Sequence, residues 1–118
     1  MKKILIVDDS RTSRKMLRTI LEDNGYEVIG EGQNGEEGIR LFKELKPDLT
    51  TLDITMPIMD GIETLRKILN YDSKAKIVMI TAAGQKGKML EAIKLGASEF
   101  VTKPFESKQI VEILNKLD

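Results

Sequence analysis

The sequence predicts an α/β fold, a single doubly wound (βα)5 domain with a five-stranded parallel sheet, on three observations. Five short apolar runs alternate with five stretches of helical period. The first and fourth runs, Ile4-Leu5-Ile6-Val7 and Ile77-Val78-Met79-Ile80, are apolar at every position, as strands covered on both faces require. The chain has 118 residues, the length of one domain, and the expected organisation is one unit over 1–118.

The elements follow in order. After the strand at Ile4 to Val7, the stripe Met16, Leu17, Ile20 and Leu21 marks a helix that stops at Asn24-Gly25. Glu27-Val28-Ile29 is the second strand. Asn34 is an N-cap for the helix carrying Ile39, Phe42 and Leu45, with Pro47 beyond its end. Leu49 to Leu52 is the third, central strand, and Ile62, Leu65, Ile68 and Leu69 form the face of the third helix. The strand at Ile77 precedes a helix facing inward through Met89, Ala92, Ile93 and Leu95, closed by Gly96 as a left-handed C-cap. Phe100-Val101 is the fifth strand. Ser107 is the expected cap of a last helix with Ile110, Val111, Leu114 and Leu117 on its buried face.

Composition removes several classes of function. Nineteen basic and nineteen acidic residues cancel, so no global charge attracts nucleic acid or an anionic membrane. Without cysteine there is no disulfide, thiol nucleophile or thiolate-bound metal; without histidine there is no Ser-His-Asp machinery, imidazole ligand or phosphohistidine. Met1-Lys2-Lys3 precedes only four aliphatics and then two aspartates, too short for a signal peptide or a membrane span. The expectation is a cytoplasmic protein with no membrane association.

Right-handed crossovers put the C-terminal ends of all parallel strands on one edge, where ligands of such folds bind. The unusual polar residues collect there: Asp8 and Asp9 after strand 1, Asp53 after strand 3, Thr81 after strand 4, Lys103 just after strand 5. Converging carboxylates repel one another, and a hard divalent cation such as Mg²⁺ relieves them. Lys103 adds a fixed cation and Thr81 a hydroxyl donor, a set suited to a phosphoryl group. With histidine and cysteine absent, an aspartate is the covalent acceptor, and Asp53 on the central strand is the candidate. Taken singly, the residues read more plainly: Asp8-Asp9 as a helix cap, Thr81 as a turn residue, Lys103-Pro104 as a loop. Five independent loop residues would not select one edge.

These residues carry a family resemblance over the whole chain. Val7-Asp8-Asp9-Ser10, Asp53-Ile54-Thr55-Met56-Pro57 with Met59-Asp60-Gly61, Thr81-Ala82 and Lys103-Pro104-Phe105 are similar to the motifs of response-regulator receiver domains. The 44 positions from Asp9 to Asp53 and the 22 from Thr81 to Lys103 fit that layout. The resemblance implies the strand order 2-1-3-4-5. It implies that Asp53 accepts a phosphoryl group from a histidine kinase or phosphotransfer protein. Mg²⁺ would be held by Asp9, Asp53 and the backbone carbonyl of Thr55, with Asp8 acting through water, while Lys103 pairs with the phosphoryl oxygens. Thr81 and Phe100 would form the switch, although Phe100 reads equally as simple packing in strand 5. Thr55 and Ala83 stand at positions with which the family tunes phosphate lifetime.

The chain stops after its fifth helix, so the expected output is contact with another protein by a monomer, through the helix 4–strand 5–helix 5 face. The Asp53 loop and the stretch from Gly84-Gln85 to Lys94 resemble chemotaxis receivers of the CheY kind, whose target is a flagellar motor switch protein and whose signal a phosphatase ends. A phosphorelay intermediate is the alternative. Two further classes fit less well. A flavodoxin-like carrier would not place two carboxylates in its phosphate loop, and a haloacid-dehalogenase-type phosphatase needs an aspartate two residues after its nucleophile, where Ser10, Arg11 and Thr55 stand. Thr50 puts a hydroxyl in the central strand that needs a partner if buried. The basic run Arg11, Arg14, Lys15, Arg18 reads as a solvated helix face or as a dock for an acidic phosphodonor.

Overall fold

The computed structural model describes residues 2–117. Five strands and five helices alternate: β1 Lys3–Val7, α1 Arg11–Asp23, β2 Glu27–Gly32, α2 Gly35–Leu45, β3 Leu49–Asp53, α3 Gly61–Tyr71, β4 Ile77–Thr81, α4 Lys86–Leu95, β5 Glu99–Thr102 and α5 Ser107–Leu117. The strands pair in parallel in the order β2-β1-β3-β4-β5. The expected doubly wound architecture is therefore present, with the expected strand order.

Alternation along β1 builds two cores. Leu5 and Val7 join Leu52, Met79, Phe42, Leu65, Ile68 and Ala92 under α2, α3 and α4. Ile4 and Ile6 join Val78, Ile80, Leu17, Leu21, Ile110 and Leu114 under α1 and α5. Every residue of β3 and β4 is buried, which explains their apolar character apart from Thr50, Thr51 and the strand-end residues Asp53 and Thr81. Those two project to opposite faces, and the hydroxyl of each is buried without a hydrogen-bond partner among the described residues. Thr50 thus lacks the partner its burial calls for, and Thr51 has the same deficit.

The helix starts follow local chemistry. Ser10 caps α1 through Ser13 N–H, Asn34 caps α2 through Glu37 N–H, and Asp60 caps α3 through Glu63 N–H. Glu37 returns the contact to the backbone of Gln33 at 2.9 Å, which completes a reciprocal cap. Gly96, at φ 117°, ends α4 in the expected left-handed cap.

Three local expectations are corrected. Ser107 is the first residue of α5 and not its cap; one position earlier, Glu106 N–H donates to the Gln109 side chain at 2.9 Å. Met16 is 51% exposed, because the buried line of α1 runs through Arg14, Leu17 and Leu21. Ile93 is 42% exposed, since Ala92 alone of α4 is fully buried. No helix among the described residues is long and apolar enough to cross a membrane.

Candidate functional site

The strand order brings the singled-out residues to neighbouring strand ends. Asp53 closes β3 and Thr81 closes β4, while Asp8 lies one residue past β1 and Lys103 one past β5. β1, β3, β4 and β5 are adjacent in that sequence, so the four ends line one rim. The acidic residues sit where the connections diverge, α1 to one face and α2 to the other, which is the point where such sheets open a crevice.

Asp8 and Asp53 are only 3% and 6% exposed, whereas Asp9 is on the surface. Carboxylate oxygens of the three lie within 4.8 Å of one another. Lys103 Nζ stands 3.1 Å from Asp8 Oδ2 and 3.6 Å from Asp53 Oδ2. One ammonium thus faces two buried carboxylates, with a third at the rim. Burial pushes the Asp53 carboxyl up from 3.8 to about 6; Asp8 and Asp9 add to the rise, against Lys103 and the Thr55 backbone N–H. Negative charge in the pocket exceeds what Lys103 neutralises. Oxygen donors alone, in undercompensated excess, are the set that a hard divalent cation takes.

The loops that carry these groups are held by specific contacts. Asp8 Oδ1 accepts from Ser10 N–H at 2.8 Å and Oδ2 faces Lys103; the cap of α1 is Ser10, so the plainer reading of Asp8-Asp9 as the helix cap does not hold. After β3 the chain turns back at Gly61, whose N–H donates to Ile54 carbonyl at 2.7 Å. A Cβ there would stand 2.1 Å from the Asp53 carbonyl oxygen, so only glycine lets α3 start this close to the acidic strand end. Thr81 is 3% exposed, and its hydroxyl donates to the Ala82 carbonyl at 3.1 Å. Phe100 is half-buried against the α3–α4 core, and Thr55 is exposed on the loop after β3.

Two residues at the rim, named in the sequence only as parts of longer stretches, have roles there that the sequence reading did not give them. Arg14 is 9% exposed, donates from Nη1 to the Asp8 carbonyl at 2.7 Å and from Nε to Glu31 at 3.2 Å. It shares the helical line of Leu17 and Leu21, and that register was the available signal. Arg18 also binds Glu31, at 2.7 Å, so the basic run divides: Arg14 and Arg18 are spent on β2, and Arg11 and Lys15 are exposed. The second is Gln85, whose side chain joins two loops and whose role nothing in its sequence context announces.

The comparisons with known proteins agree with this geometry. The response regulator receiver domain family matches residues 4–115. A chemotaxis protein CheY of Thermotoga maritima is 49% identical over 98% of this chain and 97% of its own length. The Protein CcdB of Bacillus subtilis is 45% identical over 99% of this chain and 98% of its own. Among solved structures, the CheX–CheY–BeF3–Mg²⁺ complex of Borrelia burgdorferi superposes with a TM-score of 0.94 at 34% identity, covering 98% of this chain and 88% of that one.

Proposed function

The chain belongs to the response-regulator receiver family, and on that premise we propose that it is a two-component signalling switch phosphorylated on Asp53. What carries the proposal is a buried central-strand carboxylate held up at about 6, beside two further carboxylates and 3.6 Å from a lysine ammonium. A chain with no histidine takes its phosphoryl group from another chain, a histidine kinase or a histidine phosphotransfer protein.

In the transfer an Asp53 carboxylate oxygen attacks phosphorus, the P–N bond of the donor phosphohistidine breaks, and the released imidazole keeps the bond's electron pair. Asp8, Asp9, Asp53 and the Thr55 carbonyl are the residues that would hold Mg²⁺, which supplies charge neutralisation for the phosphoryl oxygens. Lys103, already within reach of Asp53, pairs with the same oxygens. Burial of Asp53 keeps bulk water from competing with the donor. The Thr81 hydroxyl, now turned to the Ala82 carbonyl, reorients toward the new dianion, and Phe100 follows into the space behind it. The result is a phosphoacceptor and no conventional turnover enzyme.

Downstream, the reading is control of a flagellar motor switch protein by a cytoplasmic monomer, with a phosphatase ending the signal and no nucleic acid or membrane involved. Its support is the set of relatives named chemotaxis protein CheY, including one from Bacillus subtilis at 46% identity. The partner in the Borrelia burgdorferi complex, CheX, makes a CheX-type protein a further candidate partner.

Incubation with acetyl phosphate and Mg²⁺, followed by intact-mass measurement, tests the chemistry. One acid-stable, base-labile phosphoryl adduct is expected, absent in Asp53→Asn and suppressed by EDTA; an adduct that survives in Asp53→Asn refutes the assignment. Pull-down with motor switch protein and with histidine phosphotransfer protein then separates the chemotaxis role from a phosphorelay role.

A further inference from the structure

Gln85 occupies the position before α4 without capping it. Its side chain instead spans two loops. Oε1 accepts from Ala82 N–H at 3.0 Å, and Nε2 donates to the Thr55 hydroxyl. Thr55 lies two residues past Asp53, and Ala82 follows the switch residue Thr81. One amide therefore ties the loop carrying the phosphoacceptor to the loop that has to move. Ala82 is tethered at both ends, its N–H to Gln85 and its carbonyl to the Thr81 hydroxyl.

The surroundings make this tie consequential. α4 is anchored weakly, with Ala92 its only fully buried residue, so little packing fixes its N-terminal approach. Gly84, at φ 91°, stands immediately before Gln85, and residues 82–84 are exposed. The loop can hinge at Gly84, and the Gln85 bonds are what oppose that motion.

Resting on the reading of Asp53 as phosphoacceptor, we propose that Gln85 is a positioning residue for that site: a latch that holds the Thr81–Ala82 loop in its resting arrangement through Thr55. Turning Thr81 to a phosphoryl group on Asp53 gives up its bond to the Ala82 carbonyl, and the Gln85 bond to the Ala82 N–H holds the loop in the arrangement where that bond forms. The phosphorylated state must break the latch, so the latch lowers the population of the arrangement that accepts the phosphoryl group.

The probe is beryllofluoride, a phosphoryl mimic, titrated by ¹⁹F NMR at saturating Mg²⁺ into wild type, Gln85→Ala, Thr55→Val, the double variant, Thr55→Ser and Asp53→Asn. Gln85→Ala and Thr55→Val are each expected to raise affinity about fivefold, the factor that one net hydrogen bond of about 1 kcal/mol gives at 1.36 kcal/mol per tenfold. The double variant is expected to match either single variant, and Thr55→Ser, which keeps the hydroxyl, to stay within about twofold of wild type. In unliganded Gln85→Ala the Ala82 amide proton is expected to exchange about fivefold faster. Unchanged or weaker affinity in Gln85→Ala, additive effects in the double variant, or unchanged exchange at Ala82 each overturn the latch and leave the phosphoacceptor reading standing. Wild type that takes up no beryllofluoride, or Asp53→Asn that takes it up equally well, overturns both.

Discussion

Replacing Asp53 by asparagine should make the metal-free protein more stable, and by an amount that depends on pH. The side chain is 6% exposed and its carboxyl is pushed up from 3.8 to about 6, burial being the largest cause and Asp8 the next. A carboxyl with a raised folded-state pKa binds its proton more tightly in the fold than in the unfolded chain. It therefore imposes no penalty below 3.8, a growing one between 3.8 and about 6, and its full penalty above that. A gap of about 2.2 at 1.36 kcal/mol per pH unit makes the full penalty about 3 kcal/mol at pH 7.5, and the same linkage leaves about 1 kcal/mol at pH 4.5. Asparagine keeps the shape and removes the ionisation. Urea unfolding in EDTA reads the difference directly, and a slope of roughly 1–3 kcal/mol/M turns it into a midpoint gain of about 1–3 M at pH 7.5. Magnesium should narrow the gap by stabilising the wild type through RT ln(1 + [L]/Kd), with little effect on Asp53→Asn. A variant no more stable than wild type at pH 7.5, or a gap that stays constant from pH 7.5 to 4.5, would show that packing and not buried charge governs this position.

Three further substitutions probe the frame around the site. Thr50→Val and Thr51→Val each remove a buried hydroxyl with no partner from β3 and should stabilise by about 1–2 kcal/mol, read as a rise in urea midpoint at unchanged slope; a loss of stability would place an acceptor on that hydroxyl. Arg14→Ala strips the Asp8 carbonyl of a 2.7 Å charged donor and Glu31 of one partner, and should cost about 2 kcal/mol while broadening the amide signals of the β1–α1 loop, which urea titration and NMR check together.

How much was legible in advance follows from which signals are local. The unbroken apolar runs of β1 and β4, the Asn34 cap and the Gly96 stop are written in neighbouring residues, and each stands where expected. Met16 misled because a helical stripe of four apolar residues does not say which edge meets the sheet; the packing under β1 and β2 chose the line through Arg14, and a guanidinium with two acceptors took an inward place usually given to an aliphatic. Ile93 misled for the related reason that α4 meets the sheet mainly at Ala92. The acidic residues were recognisable because parallel strands with right-handed crossovers send all their C-terminal ends to one edge.

The sequence by itself determined the alternation of strands and helices, the edge on which Asp8, Asp9, Asp53, Thr81 and Lys103 meet, and, through its lack of histidine and cysteine, a site built from carboxylates, a hydroxyl and an ammonium. Only the tertiary structure decided the distances and the charge balance: that one lysine serves two buried carboxylates, that burial, with Asp8 beside it, lifts Asp53 to about 6, and that Gln85 reaches across 30 positions to Thr55. The reason is physical. Periodicity and capping are set by interactions between near neighbours along the chain, whereas desolvation and cross-loop hydrogen bonds depend on which distant groups the packed strands bring within a few ångströms.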